Sequence, residues 1–253
     1  MYNLTFDENG LLDFTQDNIE LIETCISIDS RYRKAFDITN NEGSAWYIKN
    51  KLDFQDGKSI EDLCKLVDAE NSTHLYVSGN KKGNNLGVVD MVKRISNAKN
   101  NIEERIKNQD LSVVDFLARS TSGIYKPSFA SKFCTYVSRY KYDLDNYSIY
   151  DDILQRTIPY YAWNYLGEKY VARKNSSINL KPDVETSTEG KINQYEDYWR
   201  LIEKLIKKIN EVKNLSINKE IFDHMLWYYY KGDETLIAKS LQCVVDKCNP
   251  LFI

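Results

Sequence analysis

Lys132 and Asp151 are the two side chains of this sequence whose types and spacing best suit covalent chemistry. A lysine amine is a nucleophile that can form a Schiff base, and a carboxylate stabilises positive charge that develops beside it. Such a pair suits cleavage of an N-glycosidic bond, because the sugar becomes cationic as the base departs. The amine would attack the anomeric carbon of the sugar. β-elimination could then cut the nucleic-acid strand to which that sugar belongs.

The sequence around these residues predicts two helices joined by a polar connection. Pro127 stands just before the first helix with Ser128 as its N-cap, which puts Lys132 in the first turn or just beyond. There the positive end of the helix dipole disfavours a protonated amine. The helix is expected to end at about Ser138. An extended connection can then return Asp151, at the start of the second helix, to the neighbourhood of Lys132.

About thirty residues here resemble the helix-hairpin-helix DNA glycosylases, especially the 8-oxoguanine glycosylase branch. The family hairpin reads Leu-Pro-Gly-Val-Gly-x-Lys, and an aspartate follows downstream. The matching positions for the proline, the valine, the nucleophile and the aspartate are Pro127, Phe129, Lys132 and Asp151. Ser128 and Ala130 replace the two glycines, whose backbone amides grip a DNA phosphate in the family. The same stretch resembles uncharacterised bacterial proteins described as having the 8-oxoguanine glycosylase fold.

The resemblance implies a fold and an activity. The fold is mainly α-helical, with residues 1–253 as one glycosylase-like domain, two helical lobes around a cleft, and a helix-hairpin-helix-like unit at 120–158. The activity is a DNA glycosylase with AP lyase function, in which Lys132 forms the Schiff base and Asp151 is its electrostatic partner. The substrate would be an oxidised purine such as 8-oxoguanine, flipped out of duplex DNA. No cofactor and no metal are expected, because Cys243 and Cys248 are too few to hold an iron–sulfur cluster of the kind found in endonuclease III-like relatives.

Further site residues are proposed around the pair. For the pocket that receives the flipped base, Trp227 and Tyr228 are candidates because an aromatic from a late helix stacks on the base in related glycosylases. Cys134 is a third candidate. Core packing is the alternative for all three. The candidates for contacts to the DNA backbone are Ser128, Ala130, Ser131, Lys126 and Arg139.

The charge distribution bears on a nucleic-acid partner in two ways. The formal net charge of -3 argues against DNA binding. The charge is uneven, however: residues 1–70 carry 15 acidic and 7 basic side chains, whereas residues 91–142 carry 10 basic and 4 acidic ones. Because phosphates respond to the local field, this basic segment is compatible with a DNA partner. Solvated helix faces are the alternative interpretation.

Composition also indicates the compartment. No run of 18 apolar residues occurs, and the N-terminus lacks a basic region followed by an apolar one, so we expect neither a membrane span nor a signal peptide. Five cysteines without a CxxC motif favour a reducing cytoplasm over a disulfide framework. His74 and His224 have no carboxylate at metal-ligand spacing, so no metal site is expected.

Apolar periodicity predicts the remaining elements. The first sixteen residues suggest a hairpin or an irregular arm, and residues 71–87 and 171–190 suggest loops. Ser59 is expected to cap a helix that runs through Leu66. The other predicted helices are near residues 19–26, 45–52, 88–107, 111–119, 151–165, 195–209, 217–230 and 234–247.

Three other functions are compatible with the sequence. A non-catalytic helix-hairpin-helix module would bind DNA or a partner, with salt dependence and without turnover. A helical interaction protein, for example in bacterial defence, would show no affinity for nucleic acid. A metal-dependent nuclease would rely on Asp151 and Asp152, and its cleavage would require a metal ion.

Overall fold

The computed structural model of the chain describes residues 4–71, 73, 75, 86–119, 125–168, 170 and 195–230. These residues form eleven α-helices and a 3-10 turn, together with one isolated β-bridge between Phe6 and Leu12. The prediction of a mainly α protein is therefore confirmed. The predicted loop at 171–190 and the predicted helix at 234–247 lie outside the described residues, as does most of the predicted loop at 71–87. None of the described helices is both long and apolar enough to span a membrane.

The chain divides into two compact units. The middle unit comprises Ser30–Asp151 with Gln194–Glu196, and the terminal unit comprises Met1–Asp29, Asp152–Asn193 and Asp197–Ile253. The helices of the middle unit are α2 (Ser30–Phe36), α3 (Gly43–Asn50), α4 (Gly57–Asn71), α5 (Leu86–Ser96), α6 (Ile102–Lys107), α7 (Ser112–Ala118) and α8 (Pro127–Tyr142). The others are α1 (Gln16–Ile28), α9 (Asp152–Leu166), α10 (Tyr195–Lys213) and α11 (Lys219–Tyr230).

Helix α8 is the core helix of the middle unit. All ten residues from 129 to 138 are buried, and the helix packs against α3, α4, α6 and α7. Phe133 of this helix lies with its ring centroid 6.1 Å from that of Phe129 and 6.5 Å from that of Phe54. A helix buried on every side offers its polar side chains no water, so they need partners within the protein.

Both ends of α8 differ from the prediction. The N-cap is Lys126, Pro127 is the first helical residue, and Ser128 lies inside the helix. Proline fits that position because its missing N–H would have no helical partner there. The helix continues a turn beyond Ser138 and ends at Tyr142, and the C-cap residue Asp143 adopts a left-handed conformation. The amide of Asp143 then donates to the carbonyl of Arg139, a common way to end a helix.

The long helix predicted for residues 88–107 is interrupted. Helix α5 ends at Ser96, and the side chain of Asn97 accepts a hydrogen bond from the amide of Lys99 to cap the 3-10 turn Ala98–Asn100. Asn101 then adopts a positive φ of 47° before α6 begins. Asparagine competes for backbone hydrogen bonds and tolerates this conformation, so the asparagines override the apolar periodicity.

The predicted cap at Ser59 is also wrong. Helix α4 begins two residues earlier, where Asp56 accepts a hydrogen bond from the amide of Lys58 at 2.9 Å. Ser59 is instead buried inside the helix, and its hydroxyl accepts from the amide of Asp53 and donates to the carbonyl of Lys51. Its side chain therefore holds the α3–α4 connection against α4.

The terminal unit packs α11 against α1 and α9. Phe14 lies at the centre, stacked on Phe222 with the ring centroids 5.5 Å apart and edge-on to Tyr161 at 5.6 Å. The buried amide of Asn18 holds the N-terminal arm by hydrogen bonds to the carbonyls of Thr5 and Asp13. The arm is thus an irregular turn with a single bridge.

Gly43 provides a test of the packing between α2 and α3. It has a φ of +80°, and a Cβ at this position would overlap the backbone carbonyls of Lys34 and Ala35. Gly10 has a similar φ of +76° with open space around it. We expect Gly43→Ala to reduce the free energy of unfolding by about 1–3 kcal/mol more than Gly10→Ala does. Urea denaturation measures both, and equal losses would contradict a close approach at Gly43.

Candidate functional site

The structure brings Lys132 and Asp151 into direct contact. The Nζ atom of Lys132 lies 3.2 Å from Oδ2 of Asp151, although the residues are 19 positions apart in the sequence. Both side chains are almost fully buried, with exposed fractions of 4% and 7%. An amine and a carboxylate therefore form an ion pair inside the middle unit, and little of either group meets solvent.

Lys132 lies just beyond the first turn of its helix, at the far end of the predicted range. It is the sixth residue of α8, in the second turn, because the helix begins at Pro127. The field of a helix terminus acts mainly within the first turn, so the dipole argument does not apply to this lysine. The charge that the structure places at the amine is the carboxylate of Asp151, which immediately precedes α9.

A nine-residue connection, residues 143–151, returns the chain from the end of α8 to Lys132. Near its start, the hydroxyl of Ser138 donates to the carbonyl of Leu144 at 2.8 Å, and Arg139 pairs with Asp145 at 3.0 Å. Near its end, the amide of Tyr150 donates to the hydroxyl of Ser131 at 2.9 Å. The connection is thus attached to α8 at both of its ends.

Tyr147 and Tyr195 anchor the middle of this connection. The hydroxyl of Tyr147 lies 3.3 Å from the carbonyls of both Arg105 and Asp110. The hydroxyl of Tyr195 accepts from the amide of Ser148 at 2.8 Å and donates to its carbonyl at 2.7 Å. Both tyrosines are fully buried. Sequence reasoning missed their role because the partners of both hydroxyls lie in distant segments of the chain.

A second polar cluster lies on α4 and α8. Tyr136, one turn after Lys132, donates a hydrogen bond to the side chain of Asn71 at 2.8 Å. Burial raises the pKa of Tyr136 well above its usual value, and the negative charges of Glu70 and Asp151 act in the same direction. Tyr136 therefore stays protonated and can act only as a neutral hydrogen-bonding group.

Glu70 is the unusual carboxyl of this cluster. Its Oε1 atom accepts a hydrogen bond from the amide of Ser44 at 2.9 Å, whereas its buried Oε2 atom has no hydrogen-bond partner among the residues that the structure describes. Burial raises the pKa of Glu70 to about 7, and the contact with Ser44 opposes this shift. The sequence could have indicated that Glu70 is buried, because the buried face of α4 that includes Ile60 and Val67 continues to position 70 at helical spacing.

Cys134 belongs to the packed core. It lies two residues after Lys132, which is about 200° around the helix, and it is fully buried. Burial raises the pKa of its thiol far above the ordinary value, with a smaller effect from Asp110 and an opposing one from Arg105. Full burial is what the alternative interpretation, a structural thiol, expects, and a role of Cys134 in a base pocket stays a prediction.

The proposed backbone contacts at the start of α8 differ in exposure. Ala130 and Ser131 are fully buried, so their side chains cannot reach a phosphate at the protein surface. The amide of Ala130 already donates to the carbonyl of Lys126 at 3.2 Å. Lys126 and Ser128 are half-buried, and a contact from either to DNA stays a prediction.

Part of the basic segment is neutralised within the middle unit. Arg139, a proposed phosphate contact, is only 9% exposed and is paired with Asp145. Arg94 lies over the ring of Phe116 and donates to its carbonyl, and Arg105 pairs with Asp110. The exposed cations of the segment, which are the better candidates for phosphate contacts, are Lys93, Lys99, Lys107 and Arg119.

Trp227 and Tyr228 lie on α11 of the terminal unit, and both are half-buried. The hydroxyl of Tyr228 donates to Oδ2 of Asp29 at 2.7 Å, and the two aromatic rings are 5.8 Å apart. This contact fixes the tyrosine within its own unit. The proposal that either ring stacks on an extruded base stays a prediction.

The chain was compared with known families and proteins. Residues 32–141 match the model of the family HI_0787_N, which is described as an N-terminal domain. The match covers less than half of the 253 residues, lies within the middle unit, and includes Lys132 but not Asp151. No curated protein and no solved structure matches the chain. Within the described ranges, no group of three or more His, Cys, Asp or Glu side chains could hold a metal ion.

Proposed function

We propose that this protein is a DNA glycosylase with AP lyase activity that uses Lys132 as its nucleophile and Asp151 as the electrostatic partner. The substrate class is a damaged or modified base, and the resemblance around α8 favours an oxidised purine such as 8-oxoguanine. The observation that carries the proposal is the 3.2 Å contact between the amine and the carboxylate. The resemblance assigns nucleophile and partner to these same two residues.

The burial of the pair supports a functional role. Removing two charges from water costs several kcal/mol for each ion, and their mutual attraction often fails to repay that cost. Apolar residues of similar size would stabilise such a site as well or better. Stability alone therefore does not explain a lysine and an aspartate at this site, and chemistry at the pair is a role that does.

The proposed reaction assigns each group a step. Asp151 lies within 3.2 Å to accept the proton that Lys132 must lose before it attacks. The free amine then bonds to the anomeric carbon as the bond from that carbon to the base breaks. The base leaves with the electron pair and takes up the proton held by Asp151, which restores the carboxylate. The amine nitrogen next passes a proton to the ring oxygen as the bond from that oxygen to the anomeric carbon breaks, which gives the Schiff base. Asp151 can then accept a proton from C2′, and the electron pair forms a double bond to C3′ as the 3′ phosphate leaves.

Binding to duplex DNA would rely on the exposed cations of the basic segment. Lys93, Lys99, Lys107 and Arg119 are exposed and can each replace a counterion at a phosphate. Because each such contact releases counterions, affinity should fall as salt concentration rises. The acidic residues elsewhere in the chain limit this binding to the local surface, which accords with a net charge of -3.

Borohydride trapping tests the proposal directly. Borohydride reduces a Schiff base to a stable amine, so the protein should become covalently linked to duplex DNA that contains 8-oxoguanine. We expect Lys132→Ala to abolish the linked product. Lys141→Ala is the matched control, because Lys141 lies on the same helix but contacts the carbonyl of Leu52. Trapping that persists in Lys132→Ala would exclude this lysine as the nucleophile, and an unmodified duplex controls for non-specific linkage.

A second function is favoured by the low exposure of the pair. With side chains only 4% and 7% exposed, Lys132 and Asp151 could form a purely structural ion pair. The protein would then be a non-catalytic helix-hairpin-helix module that binds DNA or a protein partner. Such a module would bind DNA with salt dependence and would give no trapped product on any lesion. Trapping and binding measured on the same duplexes therefore separate the two functions.

A further inference from the structure

Ser131 joins the two chain segments that carry the ion pair. It immediately precedes Lys132 on α8, and its hydroxyl accepts the amide hydrogen of Tyr150, the residue immediately before Asp151, at 2.9 Å. The hydroxyl also lies 3.2 Å from the carbonyl of Ser128, to which it can donate. Ser131 is fully buried, so no water is at hand to replace it as the acceptor.

Asp151 lies in a short non-helical stretch between the Tyr195 contacts at Ser148 and the start of α9. Within that stretch, the hydrogen bond from Tyr150 to Ser131 joins the backbone directly to α8 beside Lys132. Ser131→Ala would remove the hydroxyl that accepts from the Tyr150 amide, and the backbone beside Asp151 would shift in response.

We infer that Ser131 is a positioning residue that holds Asp151 against Lys132. Its effect on the reaction rests on the proposed function, whereas its effect on the geometry of the pair does not. The reaction requires the carboxylate close to the amine and to the developing charge on the sugar. A misplacement of about 1 Å in such a site can cost about 100-fold in rate.

Ser138 is a matched control within the same helix. It is also fully buried, and its hydroxyl bonds to the same connection, at the carbonyl of Leu144 with a distance of 2.8 Å. Its contact lies at the opposite end of the connection from Asp151. Each substitution therefore removes one buried hydrogen bond between a serine hydroxyl and the connection, an accepted one in Ser131→Ala and a donated one in Ser138→Ala. Only the bond of Ser131 lies beside the ion pair.

The test compares the two variants by kinetics and by crystallography. We expect the single-turnover rate of base release at saturating DNA to fall about 100-fold in Ser131→Ala and to stay within about threefold of the wild type in Ser138→Ala. The dissociation constant for lesion DNA should be unchanged in both. Crystal structures should show Nζ and Oδ2 separated beyond 4 Å, or in two arrangements, in Ser131→Ala alone.

Two results would overturn the inference. One is a crystal structure of Ser131→Ala in which the amine and the carboxylate remain at their original separation. The other is an active wild type whose rate is affected equally by the two substitutions. If the wild type releases no base and forms no trapped product, the proposed function fails, and the crystal structures alone then decide whether Ser131 positions Asp151.

Discussion

Asp151→Leu should lower the free energy of unfolding by about 3–5 kcal/mol, the largest loss of stability expected from any single substitution considered for this chain. The change leaves the ammonium group of Lys132 in a site where its side chain is only 4% exposed, without the carboxylate 3.2 Å away. Lys132→Met should cost a similar amount, because it removes the ammonium group that neutralises the buried carboxylate. Urea denaturation of each variant measures the loss.

The double variant Lys132→Met with Asp151→Leu should regain most of this stability. Replacing a buried ion pair by apolar residues of similar volume is often neutral, or stabilising by about 1–4 kcal/mol. If the pair is present for chemistry, the double variant should be folded and stable and should give no trapped product with lesion DNA. The double variant would then retain the stability of the wild type and lose its activity.

The exposed pair between Lys58 and Asp62 is the control for these measurements. Its atoms are 2.8 Å apart, closer than in the buried pair, but its side chains are 64% and 37% exposed. Asp62→Leu should therefore change stability by less than about 1 kcal/mol. A loss of the same small size for Asp151→Leu would mean that water reaches Lys132 and Asp151 freely, which contradicts a buried pair.

Glu70→Gln should stabilise the protein at pH 8 by up to about 3 kcal/mol and should have little effect at pH 4.5. The pKa of Glu70 is about 7 in the folded protein against 4.5 in its ordinary environment, with burial as the main cause. The folded state therefore prefers the protonated carboxyl. This contribution to stability is complete below pH 4.5 and is lost as the pH rises to about 7.

Glutamine suits this test because it is neutral at every pH and keeps the oxygen that accepts from the amide of Ser44. Unfolding measured from pH 4.5 to pH 8 should show a steeper decline for the wild type than for Glu70→Gln. Because Glu70 is partly exposed, solvent screening makes 3 kcal/mol an upper value. Glu61→Gln on the same helix is the control for net charge, because it changes the charge equally and Glu61 contacts Lys58 and Lys65 instead. Equal pH profiles for the wild type and Glu70→Gln would exclude Glu70 as the cause.

Local sequence patterns predicted most of the helices. Apolar residues at helical spacing indicated α3, α7, α9 and α11 close to their observed ends, because a helix that buries one face needs that spacing. The errors occurred where a side chain competes with helical hydrogen bonding. Asn97 and Asn101 interrupt the helix predicted for 88–107, and Asp56 caps α4 in place of Ser59.

By itself, then, the sequence determined a mainly helical chain and singled out Lys132 and Asp151, since residue type and spacing are local properties. The tertiary structure decided that their charged atoms meet, and that they meet in a site almost without water. It also decided the roles of Ser131, Glu70 and Tyr195, whose partners come from distant segments or other helices. Burial and hydrogen-bond pairing depend on which segments pack together, and a pattern along one segment does not contain that information.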